Sequence, residues 1–170
     1  MDVFTLQCEL TVPVTQEEAF RLFEDPYNLS KITPSNLGFR VLGKERVTMR
    51  QGAQIDYRIY WMGLPLRWRT LIAAYEPPSL FVDIQEKGPY AMWMHRHTFT
   101  AVQGGTNVAD LVEYALPAGP LGRLVHEVIV SKQLEQIFEY RQLQIGRLLS
   151  GRVIQTKRPV ITRGKARLPG

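Results

Sequence analysis

Between residues 37 and 116 the chain is cut by turn signals that leave no room for a crossover. Gly52 precedes a strand-like run at 53–62, and Gly63-Leu64-Pro65 leads into 66–76. Pro77-Pro78 leads into 80–87, Gly88-Pro89 into 90–102, and Gly104-Gly105 into 107–116. Parallel neighbours need a connection of a dozen or more residues, whereas a link of two joins antiparallel ones. The runs therefore predict an antiparallel meander of long strands.

The flanks say what the meander packs against. Residues 3–12 alternate, with Phe4, Leu6, Cys8, Leu10 and Val12 on one face and Thr5, Gln7, Glu9 and Thr11 on the other, so they predict a half-buried strand that Pro13 ends. Thr15 stands three residues before Glu18, a capping box that opens a short helix to about Phe23. Asp25-Pro26 begins a second short helical turn, stopped at Thr33-Pro34. After Pro117 and Pro120, apolar residues from Leu121 to Leu149 recur near helical spacing, with no Pro or Gly before Gly146 except Gly122 in the first turn, and with Gly151 as a stop. Such a helix over 121–150 is about 45 Å long, enough to cross a sheet. The expected fold class is α+β: a curved antiparallel sheet of about six to seven strands wrapped around a long C-terminal helix, with two short helices after the first strand.

Charge separates this domain from the C-terminal twenty residues. The chain of 170 residues is 45% hydrophobic and 22% charged, the mix of one globular domain, and its net charge is +5. Six of the basic residues (Arg152, Lys157, Arg158, Arg163, Lys165 and Arg167) lie in 151–170, which has no Asp or Glu. Residues 1–150 carry a net −1 and give no electrostatic case for nucleic acid. The expected organisation is one folded domain over 1–150 and a basic, disordered tail over 151–170, with an anionic surface as the tail's possible contact. The oligomeric state is not readable.

Other classes fall away for chemical reasons. A lone Cys8 allows neither an intrachain disulfide nor a cysteine zinc site. No apolar run approaches the roughly 18 residues of a membrane span, and the N-terminus lacks a basic region followed by an apolar one, so a cytoplasmic location without a signal peptide is expected. There is no Gly-x-Ser-x-Gly and no phosphate-cradling glycine loop, and no cofactor is expected.

Hairpin register assigns the faces. A two-residue loop at Gly104-Gly105 sets Phe99 opposite Asp110, His97 opposite Val112, His95 opposite Tyr114 and Trp93 opposite Leu116, all on one face. A loop at Gly63-Leu64 sets Ile59 opposite Trp68 and Tyr57 opposite Thr70, with Trp61 on the same face. The register of 80–87 stays open: an odd-length loop around Gly88-Pro89 puts Asp83 beside the Trp93/His95 row, and an even one does not. Tyr57, Trp61, Trp68, Trp93, Phe99 and Tyr114 thus share a face with His95, His97 and Asp110. On the residues alone, such an aromatic stripe suits either a solid core or the wall of a pocket.

The element order, over about residues 2–150, resembles the helix-grip fold of the START, polyketide-cyclase and birch-pollen-allergen superfamily. The local marks are Pro13 followed by Ala19-Phe20 and Phe23, then Asp25-Pro26, Asn28-Leu29 and Thr33-Pro34. Gly88-Pro89-Tyr90 with Trp93-x-His95-x-His97-x-Phe99, and later Asp110, Tyr114 and Leu116-Pro117, is similar to a bacterial branch of unassigned function. The resemblance implies a cavity under the long helix that takes a small hydrophobic or amphipathic molecule, lipid- or polyketide-like. Three readings of the histidine pair stay open. They can be buried and satisfied by Asp110, Tyr114 or water, and merely orient a ligand. They can serve as acid–base groups of a cyclase or dehydratase, His97 with Asp110 and His95 with Tyr114. They can bind a metal, which needs a third and usually a fourth ligand. The remaining histidine, His126, lies on the long helix and reaches the pair only by chance of register, so no metal is expected.

Overall fold

In the computed structural model, which describes residues 2–43, 46–61 and 63–165, the meander forms as the turn signals require. The chain runs β1 (Asp2–Val12), α1 (Gln16–Glu24), 3-10 turns at Pro26–Ser30 and Ser35–Leu37, β2 (Arg40–Val41), β3 (Gln54–Trp61), β4 (Leu64–Glu76) and β5 (Leu80–Lys87). It continues through β6 (Met92–Val102), β7 (Gly105–Ala115), α2 (Gly119–Val125), a π turn (His126–Val130), α3 (Ser131–Leu149) and β8 (Gln155–Lys165). All neighbours are antiparallel, in the order β2-β3-β4-β5-β6-β7-β1-β8. The capping box is present: Thr15 Oγ1 accepts from the Glu18 N–H, and the Glu18 carboxylate accepts from the Thr15 N–H.

Eight strands, not six or seven, make the sheet, because the basic tail is not free. Residues 155–165 pair with β1 as an edge strand. The reason is non-local. β1 offers an open edge, and two acids along it answer the tail's charge, Glu9 to Lys157 at 2.9 Å and Asp2 to Arg163 at 2.9 Å. Pro159 cannot donate to a ladder, and the register shifts where it falls, opposite Cys8. Beside that shift Gln142 Nε2 of α3 donates to the carbonyls of Glu9 and Lys157, so the closing helix is tied to both strands. Residues 166–170 of the expected tail, with Arg167, lie outside the described residues.

Two hairpins slip by one pair from the expected register. β6 and β7 close with Val102 opposite Gly105, so Gln103-Gly104 is the loop and His97, not Phe99, faces Asp110. Gly105 is needed inside the strand, since a Cβ there would stand 2.0 Å from the Val12 carbonyl oxygen. β3 and β4 close with Trp61 opposite Leu64, which puts Tyr57 opposite Trp68. Each slip moves partners by two, so every side chain keeps its face.

The long helix spans Gly119–Leu149 but is interrupted by the π turn, whose extra residue rotates the stripe. Leu124 and Val128, expected inward, are exposed, while Val130, Leu134, Phe138 and Ile145 are buried. Two cores result. One joins α1 to the β6–β7 tip through Phe20, Phe23, Phe81 and Phe99; the other sets Phe4, Leu6, Val112 and Tyr114 under Val130, Leu134 and Phe138.

Candidate functional site

A cavity of about 460 Å³ lies between the sheet and α3. That is within the range of small-molecule sites, roughly 300–1,000 Å³. Tyr57, Trp61, Trp68 and Trp93 line it. Trp68 is the hinge of this wall, stacked on Tyr57 at 5.8 Å and edge-on to Trp93 at 5.4 Å, with its indole N–H donating to Thr70 Oγ1. Trp61 reaches across and donates to Gln133 Oε1, joining wall to helix.

Phe99 and Tyr114 do not belong to that wall. Phe99 is packed edge-on against Phe20 and Phe23 at 5.2 and 5.0 Å, in the core at the α1 end. Tyr114 is fully buried and hydrogen-bonds His126 Nε2 at 2.8 Å, not His95. His126 in turn stacks on Phe4 at 3.5 Å. Both side chains keep the face that the pleat assigns them. Depth is what the pleat does not set, since the sheet curls and only part of its concave face meets open space.

The polar end of the cavity is built by three adjacent strands. His95 and His97 alternate onto one face of β6; Asp83 of β5 lies opposite His95, and Asp110 of β7 lies opposite His97. The odd register thus holds for 80–87. His95 Nε2 is 2.9 Å from Asp110 Oδ1, and His97 Nδ1 is 2.9 Å from the same oxygen, although its N–H direction misses hydrogen-bond alignment. On the other side, His97 Nε2 is 3.0 Å and His95 Nδ1 3.7 Å from Asp83 Oδ2. Asp83, His95 and His97 line the cavity, while Asp110 lies beneath them, beside Cys8.

Arg141 completes the group. In the sequence it is one of several charges along the helix, yet it is buried over the rings of Phe23 and Phe138. Its spacing from Leu134, Phe138 and Ile145 is the signal that places it on the buried stripe.

The electrostatics follow from burial against pairing. Burial, then the neighbouring His97, holds His95 down to about 4 against the pull of Asp110 and Asp83, so its imidazole is neutral at neutral pH. For Asp110 burial acts upward, but Arg141 and the two histidines outweigh it and hold the carboxyl well below the usual range. Asp83 is lowered too: burial opposes, and the His97 hydrogen bond, His95 and Arg141 prevail. Burial and the Asp110 charge push the Cys8 thiol up, so it is no nucleophile. No helix among the described residues is long and apolar enough to cross a membrane.

No family model and no curated protein matches the chain at significance. Solved structures do. Protein Ms6760 from Mycobacterium smegmatis is 18% identical with a TM-score of 0.63, over 86% of this chain and 91% of that one. Protein CV1439 from Chromobacterium violaceum is 14% identical with a TM-score of 0.67, over 85% and 96%. Ara h 8.0201, an allergen of the birch-pollen type, is 16% identical with a TM-score of 0.56, over 84% and 97%. At these identities the likeness is one of fold, and it agrees with the curved antiparallel sheet and the closing helix: the chain has the helix-grip fold.

Proposed function

We propose that the domain binds a small amphipathic molecule, lipid- or polyketide-like, in the cavity under α3. The observation that supports this is the division of one cavity into an aromatic wall (Tyr57, Trp61, Trp68, Trp93) and a polar end (Asp83, His95, His97, Arg141). Burying an apolar body contributes about 25 cal/mol per Å² of apolar surface, and the few polar groups fix its orientation. Native mass spectrometry of the gently extracted full chain tests it. A hydrophobic molecule should co-purify, and its retention should fall when Ile137→Trp places an indole in the cavity. Equal retention by that variant refutes the reading.

A second reading, acid–base turnover of a polyketide-like chain, draws on His97. It faces the cavity with Asp83 and Asp110 on its two nitrogens, the geometry of an oriented proton carrier. In this reading His97→Ala and Asp110→Ala abolish turnover, and a folded, fully active pair of variants refutes it. Of the basic segment's six charges, Lys157 and Arg163 are paired with Glu9 and Asp2 on the sheet edge.

A further inference from the structure

Three potential metal-ligand atoms, His95 Nδ1, His97 Nε2 and Asp83 Oδ2, converge at the polar end of the cavity. His95 gives its rear N–H to Asp110; His97 Nε2 lies 3.0 Å and His95 Nδ1 3.7 Å from Asp83 Oδ2, and a metal ion that displaces the proton of the His97–Asp83 hydrogen bond meets a lone pair on each of the three atoms. Metal–ligand bonds of about 2.0–2.2 Å set two ligand atoms on one ion about 3.0–3.5 Å apart. The three atoms here all lie within 4.8 Å of one another.

We propose that Asp83, His95 and His97 form a binding site for a divalent first-row transition metal ion, with Asp110 as the carboxylate behind both imidazoles and hydrogen-bonded to His95. No metal was expected from the sequence because a third ligand was missing; the register of β5 supplies it in Asp83. Two imidazole nitrogens and one carboxylate oxygen suit zinc, cobalt or ferrous iron rather than magnesium or calcium, which take oxygen. The rear contact of His95 matches a recurrent feature of such sites, where a ligating histidine donates its other N–H to a carboxylate that fixes tautomer and ring angle. The backbone helps as well: His95 and His97 are two apart on one strand and Asp83 is directly across from His95, so three ligands come from two rigid, neighbouring strands. All three line the cavity, so the ion's remaining coordination positions face the space beneath Trp93 and Phe138, where a ligand's polar end reaches them. Arg141 is the cation of this group, and it sits on the two phenylalanine rings with Asp110 and Asp83 as its counter-charges.

Metal binding here is independent of what fills the apolar part of the cavity, and its readout differs from ligand retention. The full chain, stripped with a chelator, is titrated with Co²⁺ alone and followed by visible absorption, and Zn²⁺ is then added as competitor. Saturation at one equivalent with displacement by Zn²⁺ is expected. Asp83→Asn and His97→Gln should each weaken binding about tenfold or more, a loss of the size that even outer-shell changes cause. Far-UV circular dichroism checks that each variant is folded. Absence of saturable Co²⁺ absorption in the wild-type chain overturns the proposal, whatever the variants do. So does undiminished binding in folded Asp83→Asn and His97→Gln, which puts the ion elsewhere.

Discussion

Asp110 separates two accounts of the polar cluster. If it were a wall group kept for chemistry on a ligand, replacing it would harm function at little cost to folding. The structure says otherwise. Asp110 lies beneath the cavity, accepts from His95 and offsets Arg141, and all three are buried. Asp110→Ala leaves the His95 N–H without its acceptor, a loss of about 1–3 kcal/mol, and strips a buried cation of a counter-charge. Breaking a buried ionic group by removing one partner costs about 3–5 kcal/mol in all. For a chain of this size that is a fall in Tm of about 6–20 °C. Asp110→Asn keeps an acceptor oxygen but no charge and should fall between. Urea unfolding at neutral pH, with the slope checked for constancy, gives the number. An Asp110→Ala chain within about 0.5 kcal/mol of wild type, the scatter of ordinary surface changes, refutes the reasoning and returns Asp110 to the cavity wall.

Phe99 and Trp61 should part company. Phe99→Ala empties a solid core and should cost about 3–5 kcal/mol while sparing ligand retention; Trp61→Ala opens the wall and should weaken retention with a smaller loss of stability. Unfolding curves and native mass spectra of the two variants decide it. Ending the chain at Ile154 removes β8 and bares the β1 edge, so the truncated chain should be less stable and self-associate with concentration, as light scattering after size exclusion would report. His126 is lowered by burial. Below about 6.5 the unfolded chain takes up a proton that the folded imidazole resists, so stability is lost as pH falls through that value. His126→Gln should flatten the decline in urea midpoints between about pH 7 and 5; an unchanged slope speaks against it.

The fold was legible because its signals are local. Turn residues such as Gly63 and Gly104, the Thr15–Glu18 box and the apolar period of 121–149 each act within a few residues. What was missed is decided at a distance. The choice of Gln103-Gly104 over Gly104-Gly105 as the loop turns on the approach of Gly105 to the Val12 carbonyl. Residues 155–165 carry too few apolar side chains to read as a strand alone, and only the open edge of β1 with Glu9 and Asp2 makes them one. At the site, the pleat puts His95, His97 and Asp110 on one face from sequence, but the third strand's register was needed for Asp83. Arg141 was hidden by its charge, since an arginine on an amphipathic helix ordinarily faces solvent. The π turn has no signal in the apolar pattern, and it shifts the helical stripe away from Leu124 and Val128, which are exposed.

The central claim is that the space beneath α3 holds an apolar ligand. Its most direct test uses the chain's own tryptophans, because all three, Trp61, Trp68 and Trp93, line the cavity. Titration of the full chain with anilinonaphthalene sulfonate, exciting tryptophan and reading the dye, should saturate at one equivalent with strong energy transfer. Ile137→Trp, which narrows the space, should reduce it. Weak, non-saturating transfer, or transfer that the narrowed variant retains in full, contradicts the account.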